Sequence, residues 1–125
     1  MKEIINTKDA PKAIGPYNQA IRHEDTLFIS GQIAIDPATN LIINKNIADE
    51  THMIMKNIKH ILKAANMDLS NIVKTSIFMK DINNYEKINN VYSQYFTKEF
   101  PAREALEVSK LPKNANVEIS AIAIK

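Results

Sequence analysis

Two spacings of apolar residues, every second position and every third or fourth, alternate along this chain and divide it into elements. Residues 17–22 and 26–35 read as strands joined by a polar tip at His23-Glu24-Asp25. In the second of these, Leu27, Ile29, Ile33 and Ile35 alternate around Ser30-Gly31-Gln32. Asp36-Pro37-Ala38-Thr39-Asn40 is a turn, followed by a short apolar run at Leu41-Ile42-Ile43. The spacing then becomes helical. Ile47, Thr51, Ile54, Ile58, Ile61, Leu62 and Ala65 predict a helix over 47–65, with Lys56, Lys59 and Lys63 facing water. Asn46 is the expected N-cap, Asp49 and Glu50 suit the positive end of the dipole, and Asn66 closes the helix in a left-handed conformation. A strand follows over 72–79, then a helix from about 82 to 97 capped by Asp81 or Asn83, with Tyr85, Ile88, Tyr92, Tyr95 and Phe96 as its buried stripe. Strands at roughly 103–109 and 116–124 complete the order β-β-α-β-α-β-β, to which Glu3–Asn6 adds a short strand.

Two helices with one apolar stripe each suit one face of a single mixed sheet, an α+β domain. The other face then needs a cover. On the last strand Val117, Ile119, Ala121 and Ala123 fall on one side and Glu118, Ser120, Ile122 and Ile124 on the other, both largely apolar. An apolar face left bare marks an interface, so an oligomer is expected.

Composition narrows the field by exclusion. The 125 residues form one domain with ordinary apolar content and no cysteine, which removes disulfides, thiolate metal sites and cysteine nucleophiles. The +2 net charge is scattered, without a dense basic block or an aromatic-and-basic stripe, and gives nucleic-acid binding little support. No apolar run reaches the ~20 residues of a membrane span. Met1–Asn6 lacks the apolar core of a secretory signal, so a cytoplasmic address is the default expectation, an organelle being the alternative. His52 and His60, eight positions apart on the first helix, do not make a metal clamp and read as solvated polar residues.

Of 16 basic residues only Arg22 and Arg103 are arginine. Arg103 opens a predicted strand, and a planar fork of donors is what two-point recognition of a carboxylate requires. An exposed Arg103 would instead pair with Glu104 or Glu107. Strand geometry puts Arg103, Ala105 and Glu107 on one face, so a small side chain beside the arginine leaves room for a ligand. Glu118 interrupts an apolar strand: it is either the partner of a buried arginine or a base with a raised pKa. Gly15-Pro16 turns the chain just before Tyr17, a packed aromatic or the rim of a pocket. Gly31 inside a strand suggests a bulge or a close approach to the backbone.

Taken together, Ala13-Ile14-Gly15-Pro16-Tyr17, Ile29-Ser30-Gly31-Gln32-Ile33, Ile72-Val73-Lys74-Thr75, Phe100-Pro101-Ala102-Arg103, Leu111-Pro112 and Val117-Glu118-Ile119-Ser120-Ala121-Ile122-Ala123 resemble the Rid family of imine deaminases, also called the YjgF family, and more closely its RidA branch. The segments occur in family order and spacing over essentially the whole chain. The resemblance implies a chorismate-mutase-like fold assembled as a homotrimer, its sheets facing a central barrel and its three clefts lying at subunit interfaces. It implies hydrolysis, without a cofactor or metal, of reactive 2-enamines and 2-imines such as 2-aminoacrylate and 2-aminocrotonate. Pyridoxal-phosphate enzymes acting on serine and threonine release these, and the products are 2-keto acids and ammonia. Arg103 would clamp the substrate carboxylate and Glu118 would position the attacking water. Tyr17 would line the cleft, Ser30 and Gly31 would shape its wall, and Asn89 matches an asparagine often found at the family's site. Many RidA proteins carry a cysteine where Ala105 stands, so thiol-linked regulation would not apply here. The rival readings are a non-catalytic module binding 2-keto acids, an endoribonuclease, and a chaperone-like role for the oligomer surface.

Overall fold

The computed structural model describes residues 1–125. Six strands form one sheet: β1 (Lys2–Ile5), β2 (Ala20–His23), β3 (Thr26–Gln32), β4 (Ile72–Met79), β5 (Ala102–Glu107) and β6 (Val117–Ile124), in the spatial order β1-β2-β3-β6-β4-β5. All neighbours are antiparallel except β4 and β5. That parallel pair needs a crossover, which helix α2 (Tyr85–Tyr92) supplies; α1 (Ile47–Ala64) joins β3 to β4. The expected α+β sheet with two helices is present.

The core forms where α1 meets the sheet. Ile54, Ile58, Ile61 and Leu62 pack with Leu27, Ile29, Ile77, Val117 and Ile119, all buried, while Ala121 and Ala123 keep that side of β6 low beneath the helix. Asn46 caps α1 by accepting from the Asp49 N–H, and Asn66 follows its end at φ 58°. Glu50, in the first turn, is fully buried and crosses to β6. Its carboxylate accepts from the N–H groups of Asn116 (2.7 Å) and Val117 (3.2 Å) and from Asn116 Nδ2 (2.8 Å).

The opposite sheet face is bare. Phe28, Leu106 and Ile124 are exposed there beside half-buried Phe78 and Ile122, with a polar band of Lys74, Ser76, Glu104 and Ser120 across the middle. Within the band Glu104 pairs with Lys74 at 3.2 Å and accepts from Ser76.

Several boundaries differ from the expected ones. Residues 17–19 are not strand: the Tyr17 N–H bonds back to the Gly15 carbonyl, and Gln19 turns its amide onto Thr7, Ala10 and Pro11 to tie down the N-terminal loop. β3 bulges between Ile29 and Gln32, pairs with β6 once more at Gln32 and ends there; Ile33–Ile35 leave the sheet. The second helix is eight residues long, flanked by 3₁₀ turns at Ile82–Asn84 and Ser93–Tyr95. β5 stops at Glu107, whose carboxylate accepts from the Ile82 N–H. His52 and His60 are half-buried rather than solvated, with Nδ1 2.8 Å from the Tyr95 hydroxyl and from the Asp9 carbonyl respectively.

Candidate functional site

All but one of the sequence-predicted residues fall into two cavities. Tyr17, Ser30, Gly31 and Glu118 line the larger, of about 500 Å³, together with Lys12 and Lys113. Its wall is made where β3 bulges. Ser30 receives its position from Gln19 and Asn18: its N–H donates to the Gln19 carbonyl and its hydroxyl to the Asn18 carbonyl (2.6 Å), which pins the loop carrying Tyr17. Tyr17 is left exposed at the rim.

Gly31 stands opposite Glu118. A Cβ on Gly31 would lie 2.8 Å from Glu118 Cδ, inside any allowed contact, so the carboxylate occupies the space a side chain would take. Glu118 is half-buried and has no arginine partner; burial alone pushes its carboxyl above the ordinary carboxylate range. Across the mouth, Lys113 and Asn114 both adopt left-handed backbone (φ 55° and 56°), and Pro112 and Lys113 complete the wall.

The second cavity, of about 340 Å³, is lined by Asn89, Tyr92, Ser93, Phe100, Pro101 and Arg103. Arg103 makes no pair with Glu104 or Glu107. Its Nη1 donates to Asn89 Oδ1 (2.7 Å), its Nη2 donates to the Tyr85 hydroxyl (2.9 Å), and Cζ lies 5.5 Å and 5.1 Å from the ring centroids of Tyr85 and Tyr92. With two of five N–H groups committed, three remain for a ligand. Ala105 lines neither cavity and packs against the hydrophobic core instead.

Within one chain the guanidinium and the carboxylate do not meet. Arg103 pairs in register with buried Thr75 and faces the helices, whereas Glu118 pairs with Phe78 on the bare face. Sequence reasoning missed Lys12, Gln19, Pro112 and Lys113 in the first cavity, Tyr92 in the second, and Tyr85 as a partner of Arg103 beside it. Helical spacing flagged the two tyrosines, but as core; nothing in the pattern marks the others. No group of three His, Asp or Glu side chains is placed to hold a metal ion, and no helix is long and apolar enough to cross a membrane.

Fold and cavities define a small α+β protein that offers a ready-made anion fork on one side of its sheet and a half-buried carboxylate on the other. Residues 7–125 match the family model described as Endoribonuclease L-PSP. The chain is 44% identical over 125 residues to the human 2-iminobutanoate/2-iminopropanoate deaminase, covering all of this chain and 91% of that protein. A crystal structure of a Rid family protein of unknown function from Yersinia pestis superposes with a TM-score of 0.97 at 46% identity, covering 100% of both chains. Escherichia coli TdcF with bound serine superposes with a TM-score of 0.94 at 37% identity, covering 98% of both. The protein belongs to the Rid (YjgF/RutC) family, as the six sequence segments indicate.

Proposed function

We propose that the protein hydrolyses short 2-imino acids, in equilibrium with their 2-enamines, to 2-keto acids and ammonia. The observation that carries this reading is Arg103: a guanidinium oriented by Asn89 and Tyr85 before any ligand arrives, with three donors free at a cleft. Such a fork holds a carboxylate at two points and so fixes the adjacent C=N carbon. Glu118 supplies the other half. Its raised pKa makes it a stronger base than an exposed carboxylate. It takes a proton from water as the oxygen adds to the imine carbon and hands that proton to the nitrogen, giving the carbinolamine. The carbinolamine hydroxyl then gives up its proton to the nitrogen as the C–N bond breaks, leaving the C=O and ammonia.

Because these groups face opposite sides of one sheet, the reaction needs two copies, one presenting Arg103 and the other Glu118. The bare face of Phe28, Phe78, Leu106, Ile122 and Ile124 supplies the docking surface. A homotrimer, sheets inward, closes this contact three times. The human relative's deaminase name and the serine bound to TdcF, itself an α-amino carboxylate, support the substrate class. An endoribonuclease reading draws on the family's description, but neither cavity has a histidine in its lining for acid–base work on a 2′-hydroxyl.

A coupled assay tests the proposal: threonine dehydratase generates the imine, and the protein is expected to accelerate 2-oxobutanoate formation. No acceleration with threonine- or serine-derived intermediates would overturn it.

A further inference from the structure

The stripe that α2 turns toward the sheet is more than apolar packing. Tyr85, Asn89 and Tyr92 are spaced i, i+4, i+7, so they stack along one side of the helix, and all three meet Arg103. Their roles differ. Tyr92 is buried and locked from below, its hydroxyl 2.7 Å from Oγ1 of Thr75, the residue paired with Arg103 across the β4–β5 register. Its ring forms a fixed floor under the guanidinium. Asn89 anchors one terminal nitrogen. Tyr85 is 41% exposed, and its hydroxyl has one side-chain partner, Nη2 of Arg103.

An exposed phenol tied to a single charged group contributes little to the core. A guanidinium anchored at one nitrogen can still swing about that bond, whereas anchors at both terminal nitrogens fix its plane. Two-point recognition of a carboxylate depends on that plane, since both N–H···O bonds must align together. We propose that Tyr85 is a positioning residue of the site: its hydroxyl fixes the Arg103 fork and so sets the affinity for planar carboxylate ligands. The ring adds a cation–π face, but the orientation comes from the hydroxyl. The inference rests on the carboxylate-clamp reading of Arg103.

The test is a double-mutant cycle on the full-length protein, reading binding of 2-oxobutanoate by calorimetry. Tyr85→Phe keeps the ring and removes one charge-assisted bond. It is expected to weaken binding about 10-fold with no change in Tm. Lysine has no plane to orient, so in an Arg103→Lys background the same change is expected to shift affinity less than about two-fold. Equal losses in both backgrounds would mean that Tyr85 acts apart from Arg103, and no loss beside native Arg103 would mean that it does not act; either overturns the inference. Failure of the clamp reading has a different signature: Arg103→Lys would itself bind 2-oxobutanoate as tightly as the native protein, whatever stands at position 85.

Discussion

Gly31 and Glu118 share one space. A Cβ on Gly31 would meet Cδ of Glu118 at 2.8 Å and Cγ at 3.1 Å, so the bulge that ends the regular part of β3 is shaped around the carboxylate on β6. The glycine is required by proximity and not by backbone conformation, since Gly15 is the glycine with positive φ. Gly31→Ala should therefore displace a flexible side chain without straining the strand. The expected outcome is a loss of about 100-fold in kcat from misplacing the proposed base by roughly an ångström, with stability within about 1 kcal/mol of the native protein. Imine turnover and thermal melts on the same sample check both.

The environment of Glu118 links activity and stability with opposite signs. Burial raises its folded-state pKa above the unfolded value, so the contribution to stability is fully present below the unfolded pKa and is lost as pH rises through the folded one. At neutral pH the native protein carries the cost of a half-buried charge. Glu118→Gln should cut imine hydrolysis by at least about 100-fold, in line with loss of a general base, while melting at or above the native temperature at pH 7. The difference in Tm should vanish below about pH 4. In the native protein kcat/KM for imine hydrolysis should rise with pH along a limb centred above the ordinary carboxylate range, and this limb should be absent from the glutamine variant.

The element order, the first helix with both its asparagine caps, and the bare sheet face were legible because each rests on a repeating pattern or a local capping preference. The boundaries that moved did so for tertiary reasons. Gln19 spends its side chain on three carbonyls of a distant loop, and Ile33–Ile35 leave the sheet where Glu118 fills the space beside Gly31. In the candidate site, Arg103 and Glu118 stood out as residues at odds with their surroundings. Their placement on opposite faces follows from register: Arg103 pairs with Thr75 and Glu118 with Phe78, positions that alternate to opposite sides of β4. Alternation within each strand cannot reveal that register. Tyr85 reads as core by spacing, and its contact with a guanidinium appears only when α2 is laid across β5.

Glu50 anchors the entry of the Glu118 strand. Three N–H groups of Asn116 and Val117 end on a carboxylate that is wholly removed from solvent. Glu50→Ala leaves two backbone donors and an amide without partners and opens a void at the helix start. A destabilisation of about 3 kcal/mol is expected from such losses, measurable by urea unfolding. Glu50→Gln should recover part of it, because the amide oxygen still accepts while its NH₂ group faces donors. Equal stability of the alanine variant and the native protein would show that the strand entry is held elsewhere.

A site divided between copies makes a prediction that a site within one chain does not. Arg103→Ala and Glu118→Gln should each be inactive in imine hydrolysis, one lacking the clamp and the other the base. In a mixed trimer, some contacts pair an intact Arg103 from one copy with an intact Glu118 from another. In a closed trimer that contains both variants, whichever is in excess, about a third of the clefts combine both native halves. Co-expression of the two variants with different affinity tags, followed by tandem purification, gives the mixed assemblies. Their imine turnover should reach tens of per cent of native, against near zero for either variant alone. Active mixtures would mean that Arg103 and Glu118 serve one cleft from different subunits. Mixed assemblies as inactive as their parents would mean that each chain must supply both groups, and the 2-copy arrangement of the site would be abandoned.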